Sequence, residues 1–325
     1  MLVAVGTERF AFGQNWASFI ERHFDEERVA ITQAHLLKFL GRDSLEGSTF
    51  LDIGCGSGLH SLAAVKAGAK RVVSFDYDPM SVATTARLRL QAGEPAHWQV
   101  MHGSVLDPAF LATLGEFDIV YSWGVLHHTG DQWNAIRNAA SRIGPGGAFY
   151  IALYTSDVFT GKHDAAFWLR IKKRYVDGGW LTKRSLELWY ASWQLAAYAR
   201  GGKNPISYVV NYRASRGMSY YHDVKDWVGG WPMEFSSVDE VKRFGAEALG
   251  LQLANIATGE ANSEYLFTRA AETAVPADPV TAYLERCRAE WQALDLVLTD
   301  QQRFELAEAL AGMVNPGQAL NTVGR

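Results

Sequence analysis

Cysteine is almost missing from this chain of 325 residues: Cys55 and Cys287 are the two present, and they lie far apart in sequence. Two thiols so separated argue against a disulfide framework and against a cysteine-ligated zinc site. No apolar run reaches the length needed to cross a bilayer, and the opening Met1-Leu-Val-Ala-Val-Gly6 is too short for a signal peptide. Excess charge is lacking too. Lys and Arg number 31 against 35 Asp and Glu, a net charge of −4, which gives no global pull toward nucleic acid or an anionic membrane. Internal repeats and low-complexity segments are also missing. These absences point to a soluble, cytoplasmic protein with no membrane or nucleic-acid partner. With 48% hydrophobic and 20% charged residues, the chain can bury a full core. Its length suits one large domain, or one domain with an elaborated second lobe.

The chain is organised around Leu51-Asp52-Ile53-Gly54-Cys55-Gly56-Ser57-Gly58. The apolar run Thr49–Ile53 reads as a buried strand. Leu59 to Ala67 reads as a helix, with Gly68 where its C-terminal cap belongs. A strand, a glycine turn and a helix present backbone N–H groups at a helix N-terminus, where a ligand can approach closely. A dinucleotide fingerprint, G-x-G-x-x-G, is not met: from Gly54 its third glycine falls on Leu59, and from Gly56 on Ser61. The spacing is instead D-x-G-x-G-x-G from Asp52. This resembles motif I of the class I S-adenosylmethionine-dependent methyltransferases. The resemblance implies an α/β fold with a seven-stranded, mostly parallel Rossmann-like sheet of order 3-2-1-4-5-7-6 and helices on both faces. It also implies S-adenosylmethionine as cofactor, held by Asp52, Gly54, Cys55, Gly56 and Gly58.

Further motifs follow at the family's spacing over residues 49–155. Arg71–Asp76 reads as the second strand, ending in an acid that suits ribose hydroxyls. Asp78 competes for that role, but Asp78-Pro79 looks better as the cap and first residue of the next helix. Tyr77 lies between them, at the expected cofactor rim. The third strand, His97–His102, leads to Ser104 and Val105, the positions where the family meets the adenine ring; the usual acid there is replaced by Ser104. Phe117–Ser122 reads as the fourth strand. It delivers Trp123, His127 and His128 to the carboxyl end of the sheet, where open α/β sheets bind ligands. A helix Asp131–Ile143 and the turn Gly144–Gly147 lead into the fifth strand, Ala148–Tyr154.

The expected organisation is a cap over residues 1–48, a cofactor-binding core over 49–155, an insertion over 156–235, the end of the core over 236–272 and a helical tail over 273–325. The cap holds the aromatics Phe10, Phe12, Trp16 and Phe19 and a helix Glu26–Leu40 carrying Val29, Ile31, Leu36, Leu37 and Leu40. Resemblance puts this helix over the cofactor, with Trp16 or Phe12 in contact. The insertion holds six of the eleven Trp and seven of the thirteen Tyr, too many for a plain linker. It reads as mainly helical: an amphipathic basic stretch Phe167–Tyr175, then a helix from a Thr182 cap to Gly201-Gly202. Arg216–Trp231 reads as a long aromatic loop, of the kind that usually carries function. Between Lys162 and Arg216 eleven basic residues face three acidic ones, either a solvated face or an attractor for an anionic acceptor. The insertion is expected to close as a lid, with Tyr154, Arg216, Tyr220 and Tyr221 touching substrate.

After it, Ser236 or Ser237 caps a helix Val238–Leu249, Glu240 completing a capping box if Ser237 leads. Leu251–Thr258 and Glu264–Arg269 read as the terminal antiparallel pair. The tail carries two amphipathic helices, about 279–293 and 300–314, the second with a Thr299/Gln302 capping box. It suits packing on the domain or on a second subunit, as in a homodimer.

The candidate chemistry is methyl transfer to a small-molecule hydroxyl, which needs a base because a neutral alcohol is a poor nucleophile. His127 and His128 are candidates, and resemblance favours His127. His222 and Asp223 are the rival pair, and Asn262 and Glu264 can line the pocket. None of these has metal-ligand spacing, so no metal is expected. Amine or carboxylate acceptors, an RNA or protein substrate, a nicotinamide-dependent reductase and a cofactor binder without catalysis remain as alternatives.

Overall fold

Strand β1 (Thr49–Ile53) is apolar at successive positions because both its faces are covered. Leu51 and Ile53 join one buried cluster and Phe50 the opposite one. The computed structural model describes residues 26–216, 220–259 and 261–270, with the backbone alone at 213–216 and 222. Phe10, Phe12, Trp16, Phe19, Cys287 and the expected tail helices lie outside the described residues. The described residues fall in one unit ending at Ala271.

Six helices and the remaining strands follow through the core in order. These are α1 (Glu26–Leu40), α2 (Leu59–Lys66), β2 (Arg71–Asp76), α3 (Pro79–Gln91), β3 (Trp98–His102), α4 (Pro108–Ala112), β4 (Phe117–Trp123), α5 (Gln132–Ala140), β5 (Ile143–Tyr154), then after the insertion α10 (Val238–Arg243), β6 (Gln252–Ala257) and β7 (Asn262–Thr268). The insertion supplies α6 (Ala165–Asp177), α7 (Trp180–Arg200), α8 (Pro205–Arg216) and α9 (Tyr220–Gly229). The seven strands lie in the order β3-β2-β1-β4-β5-β7-β6. The first five are parallel, and β7 runs antiparallel to both β5 and β6. This is the expected sheet, with helices on both sides. The switch point lies between β1 and β4, so their carboxyl ends open a crevice. Among the described residues no helix is long and apolar enough to cross a membrane.

Several boundaries differ from expectation for physical reasons. Helix α7 begins at Trp180 with Gly179 at its cap, so Thr182 sits inside the first turn. A Cβ at Gly178 would lie 2.6 Å from Thr182 Cγ2, so this glycine makes room for Thr182 within the first turn. The stretch Arg216–Trp231 is not a long loop, since most of it is helix α9. Tyr220, Val224 and Val228 recur every four residues, and all are buried in the insertion's own core with Trp168, Tyr175, Tyr190 and Tyr212. The polar residues between them hid that helical period. Ile31 points outward at 62% exposure, and Phe39 takes the buried place beside Leu36 and Leu40. Helix α5 stops at Ala140. Strand β5 already pairs at Ile143, and the glycines at 144–147 interrupt its ladder with β4 before it resumes at Ala148.

Ser237, not Ser236, caps α10. Its Oγ accepts from Glu240 N at 3.2 Å, and Glu240 Oε2 accepts from Ser237 N at 2.7 Å. Helical winding then widens into a single π-turn, Phe244–Ala248, which replaces the rest of the expected helix. A side chain at Gly245 would press on Phe267, its Cβ 2.4 Å from the ring. Ser237→Ala removes one half of the capping box and is expected to cost about 1 kcal/mol, read as a lower urea midpoint at unchanged slope.

Candidate functional site

The motif I turn is built on left-handed backbone. Gly54, Gly56 and Gly58 have φ of 75°, 53° and 81°, a region that costs other residues energy. Gly54 N and Cys55 N both donate to the Phe75 carbonyl, at 2.8 and 3.1 Å, which ties the turn to the end of β2. Asp76 reinforces that tie: Oδ2 accepts from Gly56 N at 3.0 Å and Oδ1 from Asp78 N at 2.9 Å. Burial pushes the Asp76 carboxyl up, and those backbone donors oppose the shift. Asp78 caps α3 through Met80 N at 2.9 Å, and Pro79 follows as the first helical residue.

Asp52 does not face the cavity. It is buried beneath the turn and accepts from Ser61 Oγ at 2.5 Å; Ser61 in turn meets Ser74 Oγ at 2.6 Å, which takes the Trp98 indole N–H at 2.8 Å. Burial raises the Asp52 carboxyl to about 7, against the Ser61 hydrogen bond. Gly58 lies against Thr85 rather than on the cavity wall. Cys55 does line the cavity, and burial first, then Asp52 and Asp76, hold its thiol protonated.

One cavity of about 1550 Å³ runs from this turn, past the carboxyl ends of the strands, into the insertion. Gly54, Cys55, Gly56, Asp76, Tyr77, Ser104, Val105 and Trp123 line its first part. Tyr77 and Trp123 are rim residues, 56% and 39% exposed. Ser104 Oγ accepts from Leu106 N at 3.1 Å, and Asn138 Nδ2 donates to the Val105 carbonyl at 3.0 Å, so local bonds fix this edge.

Asp76→Ala is expected to weaken S-adenosylhomocysteine binding by about 1–3 kcal/mol, the cost of losing a charged acceptor. Asp78→Ala should chiefly lower stability, by about 1 kcal/mol, through the lost cap. Calorimetric titration and thermal melts of both variants separate the two roles.

The paired histidines sit on a short 3₁₀ turn, Leu126–His128, directly after β4. His127 is fully enclosed; its Nδ1 accepts from Tyr154 N at 3.4 Å, and its Nε2 has no hydrogen-bond partner among the described residues. Burial, then His128 and Lys172, hold its pKa well below the usual imidazole value. His128, not His127, lines the cavity. Its Nδ1 lies 2.7 Å from the Pro232 carbonyl, so Nδ1 carries the proton and the neutral ring has its lone pair on Nε2. Burial lowers His128 to about 4; the Pro232 bond opposes that shift and Lys172 adds to it. Tyr154 stands between the sheet and the insertion, its ring 6.1 Å from His128 and 5.5 Å from Trp227.

The insertion supplies the far wall: Lys172 from α6, Tyr190 from α7, and Asp223, Asp226 and Trp227 from α9. Asp223 accepts from the Tyr212 hydroxyl. The side chains of His222 and Arg216 lie outside the described residues. Tyr220 is turned into the insertion's core, its hydroxyl donating to the Ala191 carbonyl at 3.1 Å, and Tyr221 is 45% exposed beside Glu187. Neither lines the cavity. Asn262 and Glu264 line it from β7, and Glu264 accepts from the Tyr150 hydroxyl.

Sequence reading missed Lys172 as a site residue. A signal was present: Trp168, Lys172 and Val176 recur every four residues, which puts this lysine on the buried face of an otherwise basic helix. Among the described residues no group of three or more His, Cys, Asp or Glu is placed to hold a metal ion.

The turn fits a nucleoside cofactor. It combines a close backbone turn, made by three glycines with left-handed φ, with a carboxylate at the end of β2. A family model described as a methyltransferase domain matches residues 22–209. A tRNA U34 carboxymethyltransferase from Shewanella oneidensis is 40% identical over 86 residues, 26% of this chain and 24% of the relative. A ubiquinone biosynthesis O-methyltransferase from Rhizobium rhizogenes is 32% identical over 135 residues, 40% of this chain and 52% of the relative. The chain thus spans between about a quarter and a half of the length of these curated relatives. Among solved structures, an O-methyltransferase family protein from Burkholderia thailandensis aligns with a TM-score of 0.49 at 12% identity, covering 81% of this chain and 59% of the other. A magnesium protoporphyrin IX methyltransferase from Synechocystis with bound S-adenosylhomocysteine gives 0.47 at 13%, covering 79% and 94%. The family match over most of the core, together with the motif I turn, Asp76 and the strand order, establishes that the chain belongs to the class I S-adenosylmethionine-dependent methyltransferases and takes S-adenosylmethionine as its cofactor.

Proposed function

We propose that the protein methylates a hydroxyl on a small planar acceptor, with His128 as the base. The observation that carries this reading is the continuity of the cavity. The chamber beyond the cofactor turn is walled by Tyr154, Trp168, Tyr190 and Trp227, with His128 where the two parts meet. The whole cavity, about 1550 Å³, exceeds the ~300–1000 Å³ of a pocket for one small ligand, leaving room for cofactor and acceptor together.

When bound, S-adenosylmethionine supplies a methyl group on a sulfonium. The protein's own residues do the rest. Gly54 to Gly56 and Asp76 hold the nucleoside, and Ser104 and Val105 border its ring. The aromatic wall orients the acceptor and excludes water; holding reacting groups in line can be worth roughly 7–11 kcal/mol. His128 takes the acceptor's proton at Nε2, while the Pro232 carbonyl keeps Nδ1 protonated and the ring oriented. Helices α6 to α9 close the chamber over the acceptor.

The test is incubation with S-adenosylmethionine and a panel of phenols, catechols, anilines and aryl carboxylates, followed by mass spectrometry of the products. Methylation at oxygen of a phenol or catechol is expected. Products only on nitrogen or only on carboxylate would refute the hydroxyl reading.

A further inference from the structure

Deep in the chamber is a lysine that solvent does not reach. Lys172 is 1% exposed, yet it borders the cavity. Its ammonium donates to the Trp227 carbonyl and stands 4.3 Å from the centroid of the Trp227 ring. A carbonyl and a ring face are weak company for a buried cation, which ordinarily requires a paired opposite charge; the Asp226 carboxylate acts on it without a direct ion pair. The same tryptophan leaves a second group unmatched: its indole Nε1–H is buried and has no hydrogen-bond partner among the described residues. A buried N–H without an acceptor is costly, and such groups often mark a place that a ligand completes. The two residues that carry these donors line the same chamber. Tyr154 connects them to the reacting end, 5.5 Å from Trp227 and 6.1 Å from His128 between ring centroids.

We infer that Lys172 and Trp227 Nε1 form an anion-binding subsite that anchors an acidic oxygen of the acceptor, a carboxylate or a phenolate on a planar aromatic ring. The inference rests on the methyltransferase reading of this cavity and adds the acceptor's charge to it. It also narrows the role of the insertion's basic excess. Among the described side chains, Lys172 is the Lys or Arg of that stretch that lines the cavity.

The electrostatics are consistent with this role. Burial lowers Lys172 to about 7, and the Asp226 carboxylate partly restores it. The ionisable groups coupled to it are His127 and His128 from the turn after β4 and Asp226 from α9; Tyr154, His163, Tyr190 and Asp223 line the same cavity. Above neutrality the amine is therefore largely uncharged in the free protein. A carboxylate arriving beside it draws in a proton. A phenol brings its own and passes it to the amine, with no net uptake.

The probes are 2-naphthoate, 2-naphthol and the neutral 2-naphthamide, titrated calorimetrically into the protein loaded with S-adenosylhomocysteine at pH 8, in buffers of different ionisation enthalpy. In the wild type, 2-naphthoate should bind about 10- to 100-fold tighter than the amide, the range for a charge-assisted hydrogen bond, and should take up close to one proton. Stronger binding of 2-naphthol than of 2-naphthoate, without proton uptake, would identify the acidic oxygen as a phenolate. Lys172→Met should erase the preference for the acid and the proton uptake, Lys172→Arg should keep part of the preference, and Trp227→Phe should reduce it about 3- to 10-fold. S-adenosylhomocysteine affinity should not change in any of them. Equal binding of all three probes by the wild type overturns the inference, as does an acid preference that survives in Lys172→Met. If Lys172→Met fails to bind S-adenosylhomocysteine, the wild-type proton count and Trp227→Phe decide: no uptake with 2-naphthoate, together with no change in Trp227→Phe, refutes the subsite. Failure of the wild type itself to bind S-adenosylhomocysteine would strike the methyltransferase reading instead.

Discussion

Gly54→Val should abolish S-adenosylhomocysteine binding in calorimetry while leaving the far-UV spectrum native. Two effects combine. Gly54 holds φ at 75°, a left-handed conformation that costs an ordinary residue about 1–2 kcal/mol and a β-branched one more. A Cβ there would also lie 2.4 Å from Val125 Cγ1, well inside contact distance. The turn must shift, and with it the bonds that Gly54 N and Cys55 N make to the Phe75 carbonyl. Those bonds fix the turn against the end of β2, so breaking them displaces the cradle on which the cofactor would rest. The sheet itself does not depend on this contact, because β1 is held by β2 and β4 along its length. Retained binding would mean that the cofactor is held elsewhere.

His128→Ala should lower turnover by about 10²–10⁴-fold, the usual contribution of a positioned base, with S-adenosylhomocysteine affinity unchanged. Positioning contributes more than the base, so some activity should remain, and an acidic phenol should be partly rescued by higher pH. The wild-type acid limb follows from the sign of the His128 shift. A base must be neutral to accept a proton, and burial lowers His128 to about 4. Activity should therefore hold below neutrality and fall as pH drops through about 4, rather than near the usual imidazole value. His127→Ala should behave differently. That ring is fully buried and packs 4.6 Å from Tyr154, so its removal should cost about 2–5 kcal/mol of stability, seen as a lower melting temperature. If His127→Ala lost turnover at unchanged stability and His128→Ala did not, the two roles would be exchanged.

These expectations draw on the sequence to different depths. The cofactor turn was legible because everything that makes it is local. Asp52, Gly54, Gly56 and Gly58 lie within seven residues, and the φ values their backbone needs can be met without strain only by glycine at three of those places. Asp76 was legible because a strand of known start carries its last residue to the crevice. The strand order came with the family rather than from any pairing visible in one chain. The capping boxes and proline starts, Ser237 with Glu240 and Asp78 with Pro79, are likewise contacts between near neighbours.

The acceptor chamber was not legible in this way. Its wall joins residues from β4, β5, α6, α7 and α9, and no local rule links Lys172 to Trp227 or His128 to Pro232. On a three-residue turn, neighbouring side chains point about 120° apart, so sequence could offer two histidines but not choose between them. The choice was made more than a hundred positions away, where the Pro232 carbonyl meets His128 Nδ1 and Glu234 N meets the His127 carbonyl at 2.8 Å. The same holds for Lys172. Its place in a run of three basic residues reads as solvated surface, and only the packing of α9 against α6 turns it inward. Sequence alone pointed to the cofactor and to the turn at Gly54–Gly58, because that turn is a short continuous stretch with its own stereochemistry. Tertiary structure alone decided which groups face the acceptor, because the facing of a side chain is set by what packs behind it.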